Sequence, residues 1–201
     1  MPGMPLECAS LYRRALGADF DRLPPVLQAF HDLHAAAKGA FKITRGAGPV
    51  RALVANAMRL PPAGDGVPVR LRVEEAAGRE RWTRDFGTYR LVTEQWMQGS
   101  LLVEAAGPIR FGFRLSAADG QMRFRMERCW LGALPVPMFA APRVTACVTG
   151  LQSTWQVWVQ VDVPPLGMIV RYEGELAPAT DEENGCPDGP SQPDVEKATS
   201  L

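Results

Sequence analysis

Apolar and polar side chains alternate between residues 109 and 128, and the alternation is broken once, at residues 117–120. The Asp119-Gly120 pair in that break is a common turn sequence of β-hairpins. Two period-2 runs on either side of such a turn predict a hairpin with one apolar face and one basic, solvent-exposed face. The apolar positions of the two runs are Ile109, Phe111, Phe113, Leu115, Met122, Phe124 and Met126.

The same period of two recurs on both sides of this hairpin and predicts further strands of one antiparallel sheet. The clearest run is 155–163, in which Trp155 and a series of valines alternate with polar residues and Trp158. Gly174, inside the last run, indicates a bulge or a close approach of two backbones. The other predicted strands occupy residues 67–73, 81–86, 89–97, 101–103, 143–148 and 168–176.

The N-terminal part of the chain has apolar residues at helical spacing instead. Ser10 caps a short helix that ends at Gly17, and a longer helix over residues 21–37 carries an apolar stripe. A third helix is predicted over residues 49–60, with a short strand at 40–44 before it. The side of the third helix that we expect to be buried comprises Val50, Leu53, Val54, Ala57, Met58 and Leu60.

This order of elements predicts an α+β fold, in which the N-terminal helices pack on a long, strongly curved antiparallel β-meander. A sheet of about eight or more strands curls or closes. We expect a half-barrel or open barrel with the helices on its concave face, because the helices need a surface to cover; a fully closed barrel is not favoured. Residues 1–176 form a single domain in this prediction. The polar, proline-rich residues 177–201 form a disordered tail.

Composition narrows the class of protein. The 201 residues include 22 Lys and Arg and 22 Asp and Glu, so the whole chain lacks the basic excess that favours binding to nucleic acid or an anionic membrane. No signal peptide and no span of about 20 apolar residues is apparent, which predicts a cytoplasmic protein. The cysteines are too far apart for metal-type pairs. No glycine-rich dinucleotide loop occurs, and we expect no cofactor.

Six segments carry a resemblance to one family: LYRRALGADFDRLPP (11–25), FHDLH (30–34), RWTRDFG (81–87), GPIRFGFRL (107–115), WLGALPVPMFAAPRV (130–144) and PPLGMIVRYEGEL (164–176). Together they resemble a family of bacterial domains of unknown function, DUF4166, over nearly the whole domain. Such domains occur alone or behind NAD-binding domains similar to saccharopine dehydrogenase or short-chain dehydrogenases. The resemblance therefore implies partnership with an NAD-dependent oxidoreductase, and it implies no catalytic residue.

Arg84 is the polar residue with the most informative position. Trp82, Arg84 and Phe86 share one face of a predicted strand, so Arg84 points inward if the two aromatic residues do. A buried cation needs a partner. One interpretation is the carboxylate or phosphate of a bound ligand. The others are an ion pair with a residue such as Glu94 or Glu104, and a strand edge that is exposed to water.

His31 and His34 are the only histidines, and they share one helix face at a spacing that suits two metal ligands. No third ligand is apparent in the sheet segments. The more ordinary interpretation places His34 at the boundary between helix and sheet and His31 near solvent. We therefore predict no metal site.

Tryptophans are enriched in the sheet half, where they either line an apolar cavity or fill a core. The apolar loop at residues 131–142 is a candidate lid over the mouth of the barrel. Trp158 is either covered by that loop or an exposed contact point. The candidate ligand-binding residues are Arg84, Trp82, Phe86, Trp96, Trp130, Tyr172 and His34.

These features predict a non-catalytic binding protein whose apolar pocket takes a lipid-like or small acidic apolar ligand, with Arg84 as its anchor. The alternative is an accessory module of an NAD-dependent oxidoreductase, which predicts an exposed apolar patch and no pocket. A third hypothesis is an enzyme that uses His31 or His34. No paired carboxylates, nucleophile turn or phosphate loop indicates a catalytic residue.

Overall fold

The computed structural model describes residues 9–33 and 36–179, which form three α-helices, a 3₁₀ helix and eleven strands. The predicted hairpin is present as two long strands, and most other predicted strands extend by two or three residues. The elements are α1 (Leu11–Leu16), a 3₁₀ helix (Gly17–Arg22), α2 (Pro25–Leu33), β1 (Ala36–Arg45), α3 (Pro49–Ala57), β2 (Gly64–Ala76), β3 (Arg79–Phe86), β4 (Tyr89–Gln98), β5 (Leu101–Ala106), β6 (Ile109–Ala118), β7 (Gln121–Leu131), β8 (Leu134–Pro135), β9 (Arg143–Gly150), β10 (Trp155–Val163) and β11 (Gly167–Ala179).

Ten of these strands form a closed antiparallel barrel, and the prediction of a half-barrel or open barrel is wrong. Strands β1 to β7 pair consecutively, β7 pairs with β9, and β9, β10 and β11 lead back to β1. The short strand β8 only extends the end of β7. Closure gives every strand of the barrel a neighbouring strand on each side, so the sheet has no edge strand.

Strand β1 is the element that closes the barrel. Its ten residues pair along their whole length with β11, from Ala36 opposite Ala179 to Arg45 opposite Val170. The sequence predicted a helix up to residue 37 and a short strand at 40–44. Alanine and lysine favour a helix locally, but pairing with β2 and β11 overrides that preference.

The N-terminal helices lie across one end of the barrel, and we call this the closed end. Helix α1 contacts β4, β5 and β6, and Pro24 packs against Gly150 at the end of β9. Phe20 and Leu27 are completely buried there. Helix α2 ends at Leu33, so the predicted helix over residues 21–37 is too long at both ends.

The opposite end carries α3, the segment 132–142 and the turns β3–β4, β5–β6 and β10–β11; we call it the open end. The expected burial of the α3 side chains is wrong for Val50, Leu53 and Ala57, which are exposed, Val50 to 56% and Leu53 to 70%. The helix instead buries Ala55. At the C-terminus β11 extends to Ala179, so the first three residues of the predicted tail 177–201 belong to this strand, and the rest of that tail lies outside the described residues.

Candidate ligand-binding site

A cavity of about 170 Å³ occupies the interior of the barrel. At the closed end its floor is formed by Tyr12, Phe30 and His31, all of which are buried. At the open end it is lined by residues that are only half-buried, among them Leu60 and Ile109. The cavity therefore opens to the outside at the open end.

Most of the wall is apolar and aromatic because alternate residues of each strand point inward. Strand β3 contributes Trp82, Arg84 and Phe86, on one face as the alternation predicts. Tyr172, another predicted site residue, lines the wall from β11. Trp155, at the start of β10, was not predicted as a site residue and also lines the cavity.

Arg84 faces the cavity and already has protein partners. Its Nη1 donates a hydrogen bond to Thr93 Oγ1 at 2.8 Å, and its Nη2 lies 3.2 Å from Glu104 Oε1. The Thr93 hydroxyl donates in turn to Glu104 Oε1 at 2.7 Å. Of the two glutamates predicted as partners, Glu104 is therefore the one used, whereas Glu94 lies 3.6 Å from Arg79 on the outer surface.

A second set of polar side chains fixes the floor of the cavity. The Tyr12 hydroxyl donates to Gln95 Oε1 at 3.0 Å, and Trp82 Nε1 donates to Glu80 Oε2 at 2.9 Å. Gln95 and Glu80 are each only 1% exposed. Burial, followed by the nearby charges of Glu80 and Glu104, raises the pKa of Tyr12 well above its usual value. Tyr12 is consequently a neutral hydrogen-bond donor at physiological pH.

Tyr172 supplies a hydroxyl inside the cavity. Burial raises the pKa of Tyr172 to about 12, while Arg84 lowers it and Glu104 raises it to a smaller extent. Its ring packs against Phe41 and Phe86, with centroid distances of 6.1 and 5.8 Å. Within residues 9–33 and 36–179 no side chain hydrogen-bonds to its hydroxyl. This hydroxyl is therefore available to a bound molecule.

His31 is buried, so the expectation that it lies near solvent is wrong. Its ring stacks on Tyr12 with a centroid distance of 3.7 Å and lies 5.1 Å from the ring of Phe30. The reason is that α2 crosses the barrel end with this face turned inward. His34 lies outside the described residues. Among the residues that the structure describes, no three His, Cys, Asp or Glu side chains come together to hold a metal ion.

Trp96 and Trp130, both predicted as ligand-binding residues, do not line the cavity. They are half-buried on the outer wall, where Arg79 lies 4.6 Å from the ring of Trp96 and Arg110 lies 5.6 Å from that of Trp130. In β4 both faces carry apolar residues, and in β7 the register shift opposite Gly112 and Phe113 interrupts the alternation before Trp130, so the local pattern does not orient either tryptophan. The polar pair Thr93 and Gln95, by contrast, was missed because polar residues are expected outside.

The segment 132–142 lies beside the mouth of the cavity and contributes no lining residue. Phe139 is 78% exposed and Leu134 72%, so in this structure the segment does not act as the predicted lid. Trp158 lies elsewhere, on the outer wall of β10, opposite Cys147 of β9 and Glu173 of β11.

The fold and the cavity define a class: a ten-stranded up-and-down β-barrel, closed by helices at one end and open at the other. The chain belongs to DUF4166, a family described as a domain of unknown function, whose profile matches residues 23–176. The resemblance stated from the sequence is thus confirmed. No curated protein matches the chain.

Solved structures similar to the barrel include two proteins of low sequence identity. One is a protein of unknown function from the DUF3598 family of Nostoc punctiforme, with 14% identity, a TM-score of 0.47 and coverage of 74% of this chain and 48% of that chain. The present chain thus spans about half its length. The other is a secretary abundant heat soluble (SAHS) protein from Ramazzottius varieornatus, with 6% identity, a TM-score of 0.40 and coverage of 72% and 93%. No helix among the described residues is long and apolar enough to cross a membrane.

Proposed function

We propose that this domain is a non-catalytic binding protein that holds a small, mostly apolar molecule with one neutral polar group inside its barrel. The observation that carries the proposal is the open-ended apolar cavity with one polar cluster in its wall, formed by Arg84, Thr93, Glu104 and Tyr172. Specific ligand sites commonly combine apolar walls with a few polar groups that fix orientation.

The size of the cavity limits the ligand. At about 170 Å³ it is close to the cavity of roughly 150 Å³ that takes up benzene in an engineered protein. A ring or a short branched chain fits completely. A longer, lipid-like chain enters only in part, and its remainder extends through the open end past Leu60 and Ile109.

The charge inside the cavity favours a neutral polar group over an acid. Arg84 and Glu104 compensate each other at 3.2 Å, so the guanidinium is not a free anchor for an anion. A ligand carboxylate beside Arg84 brings a second negative charge close to Glu104, which costs free energy at short range. A hydroxyl or carbonyl oxygen instead accepts from Tyr172 without that repulsion.

The oxidoreductase-module hypothesis remains a prediction from the family resemblance. Its expectation of an exposed apolar patch agrees with Leu53 and Phe139 at the open end. Its expectation that the protein has no pocket does not agree with the cavity.

The first test is native mass spectrometry of freshly purified protein, compared with the same sample after denaturation. We expect an additional mass that is lost on denaturation. The second test is calorimetric titration with an alcohol and with the carboxylic acid of the same carbon skeleton. The alcohol should bind more tightly; tighter binding of the acid would show that Arg84 anchors an anion, as the sequence predicted.

The substitution Tyr172→Phe tests the contribution of the hydroxyl to ligand binding and leaves the apolar wall of the cavity in place. We expect it to weaken binding of the alcohol about threefold to tenfold, the value of one hydrogen bond. Tyr89→Phe is the matched control, because Tyr89 is half-buried, loses the same hydroxyl and does not line the cavity. Absence of any bound mass together with no heat of binding for either compound refutes the proposal.

A further inference from the structure

Exposed apolar side chains are concentrated at the open end of the barrel. Of the large hydrophobic residues that are exposed in the described part of the chain, only Leu151 lies at the closed end. The others belong to α3 or to the segment that begins at the end of β7. They are Val50, Leu53, Leu131, Leu134, Met138 and Phe139.

Positive charge is concentrated at the same end. The connections 46–63, 87–88, 107–108, 132–142 and 164–166 contain Arg51 and Arg59 and no Asp or Glu. Arg45 ends β1 and Arg143 begins β9 at the same rim. The described segments of this end therefore form a basic rim around the mouth of the cavity.

Two arginines of this rim bond to neutral backbone groups and not to carboxylates. Arg45 donates to the carbonyl oxygens of Pro61 and Leu60, and Arg51 donates to that of Leu166 at 2.8 Å. Carbonyl groups position a guanidinium without neutralising it.

Acidic residues do occur further from the mouth, on the strands next to these connections. They contact residues close to them and not the arginines of the rim. Asp85 accepts from Arg90 at 2.6 Å, and Asp65 lies 3.7 Å from Lys42. Each of these two carboxylates has a cation of its own, and Asp162, opposite Arg143 in the pairing of β10 with β9, accepts from Gln160. None of the three lies within 4.0 Å of an arginine of the rim in the described residues, and the four rim arginines outnumber the one carboxylate that has no cation. The net charge of the rim stays positive.

The closed end differs. There Arg13 pairs with both Asp21 and Asp32 at 2.8 Å, and Arg22 pairs with Asp19 at 2.9 Å. These arginines of the closed end are therefore paired with carboxylates, whereas within the described residues no carboxylate lies within 4.0 Å of an arginine of the rim.

We propose that the open end docks on the surface of an anionic lipid bilayer. Exposed aliphatic and aromatic side chains next to unneutralised arginines are the combination that binds the interface of a membrane with acidic lipids. The apolar residues lie on two separate projections, α3 and the segment 131–142, on either side of the mouth. Two projections at one end can insert together into a fluid surface, whereas they do not form the single groove that a peptide or helix requires.

Docking in this orientation places the mouth of the cavity against the bilayer. An apolar molecule then passes between the membrane and the barrel without crossing water. This consequence rests on the proposed ligand-binding function, whereas the docking itself does not depend on it.

The test is co-sedimentation of the purified full chain with vesicles of phosphatidylcholine and phosphatidylserine, compared with vesicles of phosphatidylcholine alone. We expect binding to the anionic vesicles and its reversal by high salt. The variant Arg59→Gln/Arg143→Gln should reduce partitioning about 30-fold, from roughly fivefold per basic residue at the surface. Leu53→Ser/Phe139→Ser should reduce it about tenfold or more, because less apolar area is buried in the interface.

Matched controls change the closed end or the outer wall. Arg14→Gln/Arg123→Gln removes two exposed positive charges there, and Leu151→Ser removes its exposed apolar side chain. Both variants should bind like the unaltered protein. Circular dichroism and thermal unfolding establish that each variant is folded.

Several outcomes overturn the docking proposal: no binding to anionic vesicles, equal binding to both kinds of vesicle, or equal loss in the control variants. A concentration-dependent dimer in sedimentation velocity that Leu53→Ser/Phe139→Ser dissociates would assign this surface to a second copy instead. Tyr172→Phe, which addresses the ligand, should leave vesicle binding unchanged. Failure of ligand binding is thereby distinguished from failure of docking.

Discussion

Replacing Arg84 by methionine tests whether the guanidinium is held by Glu104 or is free to anchor an anion. The change keeps an apolar stem of similar length. It leaves the Glu104 carboxylate without its cation. The side chains of Arg84 and Glu104 are only 18% and 20% exposed, respectively. The substitution also removes the hydrogen bond to Thr93 Oγ1. We therefore expect Arg84→Met to destabilise the protein even in the absence of a ligand.

The magnitude follows from the distance. Two unit charges 3.2 Å apart attract by about 5 kcal/mol at an effective dielectric constant of about 20. Desolvation of the guanidinium offsets part of this attraction, and removing one partner of a buried pair typically costs about 3–5 kcal/mol. Because this pair keeps some contact with solvent, we expect a loss of about 2–3 kcal/mol in the free energy of unfolding. For a chain of this length that corresponds to a decrease in Tm of roughly 4–12 °C.

The assay is equilibrium unfolding in urea of the unaltered protein, Arg84→Met, Glu104→Gln and the double variant. If the two residues form a pair, the double variant loses clearly less free energy than the sum of the two single losses. Additive losses, within about 0.5 kcal/mol, would refute the reasoning. They would return Arg84 to the role of an independent anchor.

Three further changes test other parts of the barrel. Gly174→Ala should cost about 2–3 kcal/mol by overpacking, because a Cβ there lies 2.3 Å from the Ala40 carbonyl oxygen; unchanged urea unfolding would contradict this. Tyr12→Phe should cost about 1–2 kcal/mol, because Gln95 Oε1 loses its donor; a loss well below that range in the same assay would show that another group satisfies the amide. Hydrogen bonds from neighbouring arginines lower the pKa of Glu127 from 4.5 to about 2. The contribution of the Glu127 carboxylate to the free energy of unfolding should be complete above about pH 4.5 and disappear as the pH falls to about 2. Parallel curves of stability against pH for Glu127→Gln and the unaltered protein would refute this expectation.

The strands of the barrel were predictable where one face is buried and the other is exposed to solvent. The hairpin Ile109–Ala118 and Gln121–Leu131 alternates along nearly its whole length, and its turn has the expected sequence. Strand β1 lacks that signal: its sequence is AAKGAFKITR, and its partner β11 lies at the far end of the described chain. Closure depends on that one long-range pairing, which leaves no local pattern. The open barrel was therefore the natural prediction and the wrong one.

The site was predictable in part for a related reason. Alternation within β3 places Trp82, Arg84 and Phe86 on one face, and the two aromatic residues identify that face as the inner one. Within β4 both faces carry apolar residues, so the inward orientation of Thr93 and the outward orientation of Trp96 have no local cause. They follow from the pairing of β4 with β3, where Trp82 lies opposite Thr93. The register between neighbouring strands therefore determines which side chains line the site. That register is set by the pairing of the strands in the complete barrel and not by the sequence of one strand.

The distribution of charge depends on the topology in the same way. Equal numbers of acidic and basic residues argue against an anionic partner only if the charges are mixed over the surface. In an up-and-down barrel, alternate connections lie at the same end, so segments far apart in sequence, such as 46–63 and 132–142, lie on the same rim. Both lack acidic residues and both expose apolar side chains. The closure that determines the shape of the cavity therefore also gathers these segments around its mouth, and the same long-range pairing creates the ligand site and the surface through which we propose that it is reached.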